Sequence, residues 1–201
     1  MPPQLITAGA SARGEVVDWS FWDSEAIAAA QTEAIFFEDN TGKSRYQSNM
    51  RLSGQIPSPQ YFGIFSITFG LEDQVQTVAS SSVNLLTVLT SMLEDSRLDF
   101  ELGNKPVLEI PLYYLPAAGG VYGSGLNAQD DAAAAAVSLD IQATNGPPGW
   151  MSRQVLKKPL VLTPNEDFRL RATWGHGVVV AGLATPRVFI GLHGVLFRSV
   201  Q

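Results

Sequence analysis

The chain has no cysteine and only two histidines, His176 and His193, among its 201 residues. Disulfides and thiolate metal sites are therefore excluded. A metal site that needs two histidines two residues apart is excluded as well, because no His-x-His pair occurs. We expect His176, which lies between two glycines, to sit in a turn, and His193 to be a hydrogen-bonded core or interface residue.

Charge is also sparse, since Asp, Glu, Lys and Arg together make up 16% of the residues, against roughly 25% in a usual globular domain. Thirteen basic and nineteen acidic residues give a net charge of −6, and Arg13 is the one basic residue among the first twenty. Without a basic arm or a basic face, no direct binding of nucleic acid is expected. A surface poor in charge favours a protein that is partly covered by partners.

Long uninterrupted apolar runs are missing too. The most apolar stretch, 75–93, contains nine Gln, Thr, Ser and Asn residues, so no transmembrane segment is predicted. The start, Met1-Pro2-Pro3-Gln4, lacks a charged region followed by an apolar run, and no signal peptide is predicted.

What the sequence does contain is alternation with a period of two, which is typical of strands. Leu98, Phe100 and Leu102 alternate with acidic residues and are followed by Gly103-Asn104, a pair that suits a tight turn. A second strand through 107–112 carries Pro106 and Pro111, which favours a sheet edge. Similar alternation predicts strands at 61–69, 137–141, 168–174 and 187–198, and short apolar runs predict strands at 160–162 and 178–180.

Helical spacing is limited to two stretches. Residues 74–94 carry apolar side chains at intervals of three and four. A shorter helix is predicted from a cap at Asp23 or Ser24 to about Ala34, because the residues that follow are mostly good helix formers.

Residues 1–14 are expected to form an extended arm, and residues 116–136 a long loop that carries function or contacts a partner.

About eight short strands, one or two short helices and no βαβ alternation predict an all-β sandwich of the jelly-roll type. No linker divides the sequence, so residues 15–201 are predicted to form a single domain. Both faces of the final strand are apolar, which indicates that each of them is covered by something.

Motifs that carry chemistry are incomplete. Gly123-Ser124-Gly125 lacks the pattern of a nucleophile elbow, and Gly123-x-Gly125-x-x-Ala128 lacks the strand before it and the helix after it that dinucleotide binding needs. The acidic pairs 94–95, 130–131 and 166–167 are interpreted as turn or cap residues. The sequence therefore predicts no catalytic, cofactor-binding or metal-binding residue, no cofactor and no enzyme. Among the tryptophans, Trp174 is expected to be buried and Trp150 to be exposed.

Three segments resemble parts of bacteriophage jelly-roll virion proteins. The hairpin 98–105 with its continuation to Pro116 is similar to one that leads into a Pro/Gly-rich loop there, and 159–168 and 192–201 resemble their later strands. The resemblance implies a capsid or virion-surface role and supplies no catalytic residues. The chain departs from genome-contacting capsid proteins in lacking a basic arm.

Two main hypotheses follow. The first is a virion structural protein, a capsid subunit that forms homo-oligomers (trimers, pentamers or hexamers) in a shell or vertex. It would contact other virion proteins and reside in the virion after assembly in the host cytoplasm. The alternative is a carbohydrate- or receptor-binding β-sandwich module of a tail or surface structure, with Trp150 and residues 116–136 as its site. An enzyme with an unrecognised site is a third hypothesis.

Overall fold

The computed structural model describes residues 14–72, 91–115, 122–129, 138–144, 154–180 and 186–199. Strands within these ranges are β1 Gly14–Ala26, β2 Glu33–Phe36, β3 Tyr61–Glu72, β4 Ser96–Leu102, β5 Lys105–Pro111, β6 Tyr122–Gln129, β7 Ser138–Thr144, β8 Gln154–Leu162, β9 Phe168–Trp174 and β10 Arg187–Ser199. A 3₁₀ turn, Leu112–Tyr114, follows β5, and residues 91–93 are helical. None of the helical segments in the described ranges is long and apolar enough to cross a membrane.

Eight of these strands form two antiparallel sheets. Sheet one has the order β1-β10-β3-β8 and sheet two the order β2-β9-β4-β5, while β6 and β7 pair with each other. Along the chain, the connections between these eight strands pass from one sheet to the other, except for the turn between β4 and β5. This is the strand order of a jelly roll, and it confirms the predicted fold class.

The core lies between the inner faces of the two sheets. In β9 every second residue is buried, from Phe168 through Leu170 and Ala172 to Trp174. Phe168 stacks on Phe100 of β4 with ring centroids 6.1 Å apart. The indole N–H of Trp174 donates a 2.9 Å hydrogen bond to the Met92 carbonyl, so the one polar atom of this ring is satisfied. The predicted alternation and the predicted burial of Trp174 are confirmed.

The β4–β5 hairpin also matches its prediction. Gly103 has a φ of +56°, a conformation that glycine adopts at little cost. β5 pairs with β4 alone among the described strands and lies at the edge of sheet two, as Pro106 and Pro111 require, since neither can donate to a further ladder.

The short helix predicted from Asp23 or Ser24 to Ala34 is wrong. Residues 24–26 complete β1, and β2 begins at Glu33. Asp23 and Ser24 are fully buried, and Ala30 has a φ of +61°, which no right-handed helix contains. Tertiary contacts of β1 outweigh the modest helix propensity of the alanines.

Other predictions are only partly covered by the described residues. The long loop predicted over 116–136 is wrong at 122–129, which form β6 and pair with β7, and the rest of it lies outside the described residues. The helix predicted over 74–94 lies outside them except for 91–94, of which 91–93 are helical. Residues 1–13 of the predicted arm also lie outside, and Gly14 opens β1. The strand predicted at 178–180 is wrong, because these residues lie in no strand.

The structure predicts that Gly194→Ala unfolds at markedly lower urea concentration than the native chain. Gly194 lies where the β10–β3 register shifts, and a Cβ there would meet the Gly63 carbonyl oxygen at 1.8 Å. Because the backbone must move to make room for this Cβ, the free energy of unfolding should fall by roughly 1–3 kcal/mol or more. The matched control is Gly63→Ala, whose Cβ would meet Val195 Cγ2 at 3.6 Å, an ordinary contact. Equal urea midpoints of unfolding for the two variants would contradict the close approach of β10 to β3 at Gly194.

Candidate functional site: a groove on the outer face of sheet one

A groove lies on the outer face of sheet one, between three of its strands and the loop that follows β2. Its volume is about 1010 Å³, the size of a ligand site rather than of a packing defect. The lining residues come from β1, β3, β10 and the loop 45–51: Asp18, Trp19, Ser20, Trp22, Arg45, Ser48, Asn49, Met50, Arg51, Phe65, Ser66, His193, Gly194 and Val195.

Two polar side chains of the groove lining, Ser20 and His193, form a hydrogen-bonded chain with Thr68 of β3. His193 Nδ1 lies 2.8 Å from Ser20 Oγ, and His193 Nε2 lies 2.9 Å from Thr68 Oγ1. Ser20 pairs with His193 across β1 and β10, so the contact is set by strand register. Because a hydroxyl can donate or accept, both tautomers of the imidazole are satisfied. As expected from the sequence, His193 is a hydrogen-bonded residue, and it ties three strands together.

The same geometry can be compared with a nucleophile and its base. The distance from Ser20 Oγ to the imidazole suits such a pair. In a triad, however, the second ring nitrogen is oriented by a carboxylate, whereas in this groove it faces the Thr68 hydroxyl. We therefore interpret Ser20, His193 and Thr68 as a structural tie.

Asn49 fastens the loop wall of the groove to β1. Its Oδ1 accepts the Trp22 N–H at 2.9 Å, and its Nδ2 donates to the Ser20 carbonyl at 2.8 Å. The Asn49 N–H also donates to the Trp22 carbonyl at 3.3 Å. The side chain and the backbone N–H of Asn49 thus take the place of a neighbouring strand along this stretch of β1. These three hydrogen bonds hold the wall in place.

A buried ion cluster holds the base of the same loop. Lys43 Nζ lies 2.8 Å from both oxygens of Asp23 and also bonds to Glu25. Asp23 Oδ2 accepts the Phe37 N–H at 2.6 Å, at a residue with a φ of +69°. Burial raises the pKa of the Glu25 carboxyl above its ordinary value, and the bond to Lys43 and its positive charge act in the opposite direction. The cluster joins β1, the end of β2 and the loop in a setting where an uncompensated charge would be costly.

The residues singled out from the sequence are scattered. His176 lies in a bend, as predicted, and its Nδ1 is 2.7 Å from Asp95 Oδ2 on the surface. Gly123, Ser124 and Gly125 belong to β6. Trp150 and the pair 130–131 lie outside the described residues. Within the described ranges, no three His, Asp or Glu side chains are grouped closely enough to hold a metal ion.

Sequence reasoning missed the groove itself. Its lining joins Ser20 and His193, which are 173 positions apart in the chain. No local motif marks such a site, because register and loop path bring its residues together.

Removing Lys43 tests the ion cluster. Lys43→Met should lower the free energy of unfolding by about 3–5 kcal/mol, because it leaves the Asp23 carboxylate buried without its cation; the two side chains are 13% and 1% exposed. Urea unfolding measures the loss. Lys105→Met, at the exposed first residue of β5, is the control and should change stability little. Similar losses in the two variants would show that the cluster does not hold the loop.

The raised pKa of Glu25 gives a second test. The folded state keeps a proton on this carboxyl at pH values where the unfolded state, with a pKa near 4.5, has lost it. Its contribution to stability therefore falls as pH rises through that range. Glu25→Gln should be at least as stable as the native chain at neutral pH. As the pH falls towards 4.5, the stability of the native chain relative to the variant should increase, which urea unfolding at several pH values measures. If the free energy of unfolding of the native chain instead falls relative to that of the variant on acidification, burial is not the dominant influence on this carboxyl.

The chain was compared with protein families, curated proteins and solved structures, and a functional assignment rests on the groove and the strand order because none of them matches.

Proposed function

We propose that this protein is a virion structural protein, a jelly-roll capsid subunit that associates with copies of itself through the outer face of sheet one. The observation that carries the proposal is the contrast between the two outer faces of the sandwich. The resemblance of 98–116, 159–168 and 192–201 to bacteriophage virion proteins supports the viral setting, and viral capsid domains are a large class of jelly rolls.

The outer face of sheet two is covered by ion pairs. Arg169 bonds to Glu101 at 2.6 Å and to Glu38 at 3.1 Å. Arg97 contacts Asp99 at 3.0 Å and Glu109 at 3.4 Å. Arg97 and Arg169, whose side chains are 54% and 30% exposed, cover the more buried carboxylates of Asp99 and Glu101. This face therefore presents charged groups to water.

The outer face of sheet one instead carries an apolar patch. We use the name outer apolar patch for Val16, Tyr61, Phe65, Val195 and Phe197. The rings of Tyr61 and Phe197 are 6.4 Å apart across β3 and β10. Val16 is 49% exposed and Tyr61 44%. Contiguous apolar surface of this kind marks contact sites for other proteins.

A second copy of the chain is the occupant that we propose. A closed homo-oligomer buries the same patch on every subunit and needs no further partner. The low charge of the chain suits repeated subunit contacts, and its net charge of −6 disfavours direct contact with packaged nucleic acid. The alternative, a glycan site built around Trp150, lies on a residue outside the described ranges.

Light scattering of the purified chain across a concentration series, followed by electron microscopy of the largest species, tests the proposal. We expect a stable trimer, pentamer or hexamer, or rings and shells built from them. A monomer at every concentration and under every assembly condition would overturn it.

A charge placed in the outer apolar patch should prevent association. Tyr61→Glu would bury an unpaired carboxylate at the interface, so the dissociation constant should rise by at least about tenfold. Tyr113→Glu is the matched control, since Tyr113 is 58% exposed and lies in the 3₁₀ turn after β5. Circular dichroism should show both variants folded. If both associate like the native chain, the patch is not the interface.

A further inference from the structure

The groove on sheet one has a wall that is held rigid before any ligand arrives. Asn49 bonds to β1 as described above, and Asn40 Nδ2 donates to the Met50 carbonyl at 3.0 Å. Lys43 anchors the start of the same segment to Asp23. A wall fixed in this way loses little conformational entropy on binding, which favours affinity for a small ligand.

The charges of the groove differ in sign from those of the whole chain. Arg45 and Arg51 line the loop wall and Asp18 lines the opposite side. None of the three has an ion-pair partner among the residues that the structure describes. The groove thus holds two positive groups and one negative group in a chain of net charge −6. Such an arrangement attracts a ligand of small negative charge.

We propose that this groove binds a carbohydrate that carries a carboxylate. A guanidinium group recognises a carboxylate through two parallel hydrogen bonds, and Arg45 and Arg51 are the available guanidinium groups. Asp18 accepts hydrogen bonds from hydroxyls, which a sugar supplies. Trp22 adds an aromatic surface for the apolar side of a sugar ring.

The same set disfavours other anions. A phosphodiester chain offers several negative charges and few hydroxyl donors, so it would be repelled by Asp18 without donating hydrogen bonds to it in return. The polar groups of Ser20 and Asn49 are already engaged, since Ser20 bonds to His193 and the Asn49 amide bonds to the β1 backbone. Recognition therefore rests on Arg45, Arg51, Asp18 and Trp22 at the rim.

The groove lies next to the surface proposed for self-association. Phe65 and Val195 belong both to the groove lining and to the outer apolar patch, so the two surfaces adjoin. Binding should therefore be measured on the native chain and also on Tyr61→Glu, which separates failure of the glycan proposal from failure of the assembly proposal.

The experiment is a titration of the full chain with a panel of paired sugars, in which binding is measured by calorimetry and by ligand-observed NMR. Glucuronic and galacturonic acid, their short oligosaccharides and sialyllactose are each compared with a neutral counterpart at millimolar concentration. We expect carboxylated members to bind, neutral counterparts to bind at least about tenfold more weakly, and added salt to weaken binding. Oligosaccharides that bind more tightly than the monosaccharide acids would identify a polysaccharide as the source, and the reverse would identify a free sugar acid.

Arg45→Gln and Arg51→Gln should each weaken binding of the carboxylated sugars by about tenfold and leave the free protein folded, because both side chains are exposed. Arg97→Gln, on the outer face of sheet two, is the matched control and should bind like the native chain. No binding by any carboxylated member of the panel, equal binding of the neutral counterparts, or binding unaffected in both groove variants would overturn the proposal.

Discussion

The pairing of β10 between β1 and β3 is the constraint on which sheet one depends. It joins Gly14–Ala26 at one end of the described chain to Arg187–Ser199 at the other. On its inner face, Val188, Ile190 and Leu192 are fully buried in the core. On its outer face, His193 links Ser20 to Thr68, and Phe197 meets Tyr61. A one-residue slip of this strand would exchange the two faces, so core, groove and outer apolar patch all depend on one register.

The two faces of the sandwich use charge in opposite ways. Sheet two engages its arginines in ion pairs on its outer surface, as Arg97 and Arg169 show. Sheet one carries the outer apolar patch, and Arg45 and Arg51 lie on a loop beside it, where no described carboxylate pairs with them. A jelly roll can carry many functions, and its strand order alone selects none of them. The division of charge is what supports an assembly surface and an adjoining ligand groove on sheet one.

Much of the fold could be predicted from local pattern. Alternation in β4, β9 and β10 identified strands and buried faces, and Gly103-Asn104 identified the hairpin turn, because period and turn chemistry are local properties. The short helix predicted from a cap at Asp23 or Ser24 to about Ala34 is wrong because Asp23 is fixed by Phe37 and Lys43, contacts that no local pattern encodes. Strand order and the groove were out of reach for the same reason.

Hydroxyl-radical footprinting of the concentrated, associated protein against the dilute protein tests the central claim most directly, because it reports the solvent access of individual side chains. We predict that Tyr61, Phe65 and Phe197 lose reactivity on association, while the exposed Tyr113 and Tyr114 keep theirs. Protection of Tyr113 and Tyr114 with no change at Tyr61, Phe65 and Phe197 would contradict the claim and place the contact on another surface.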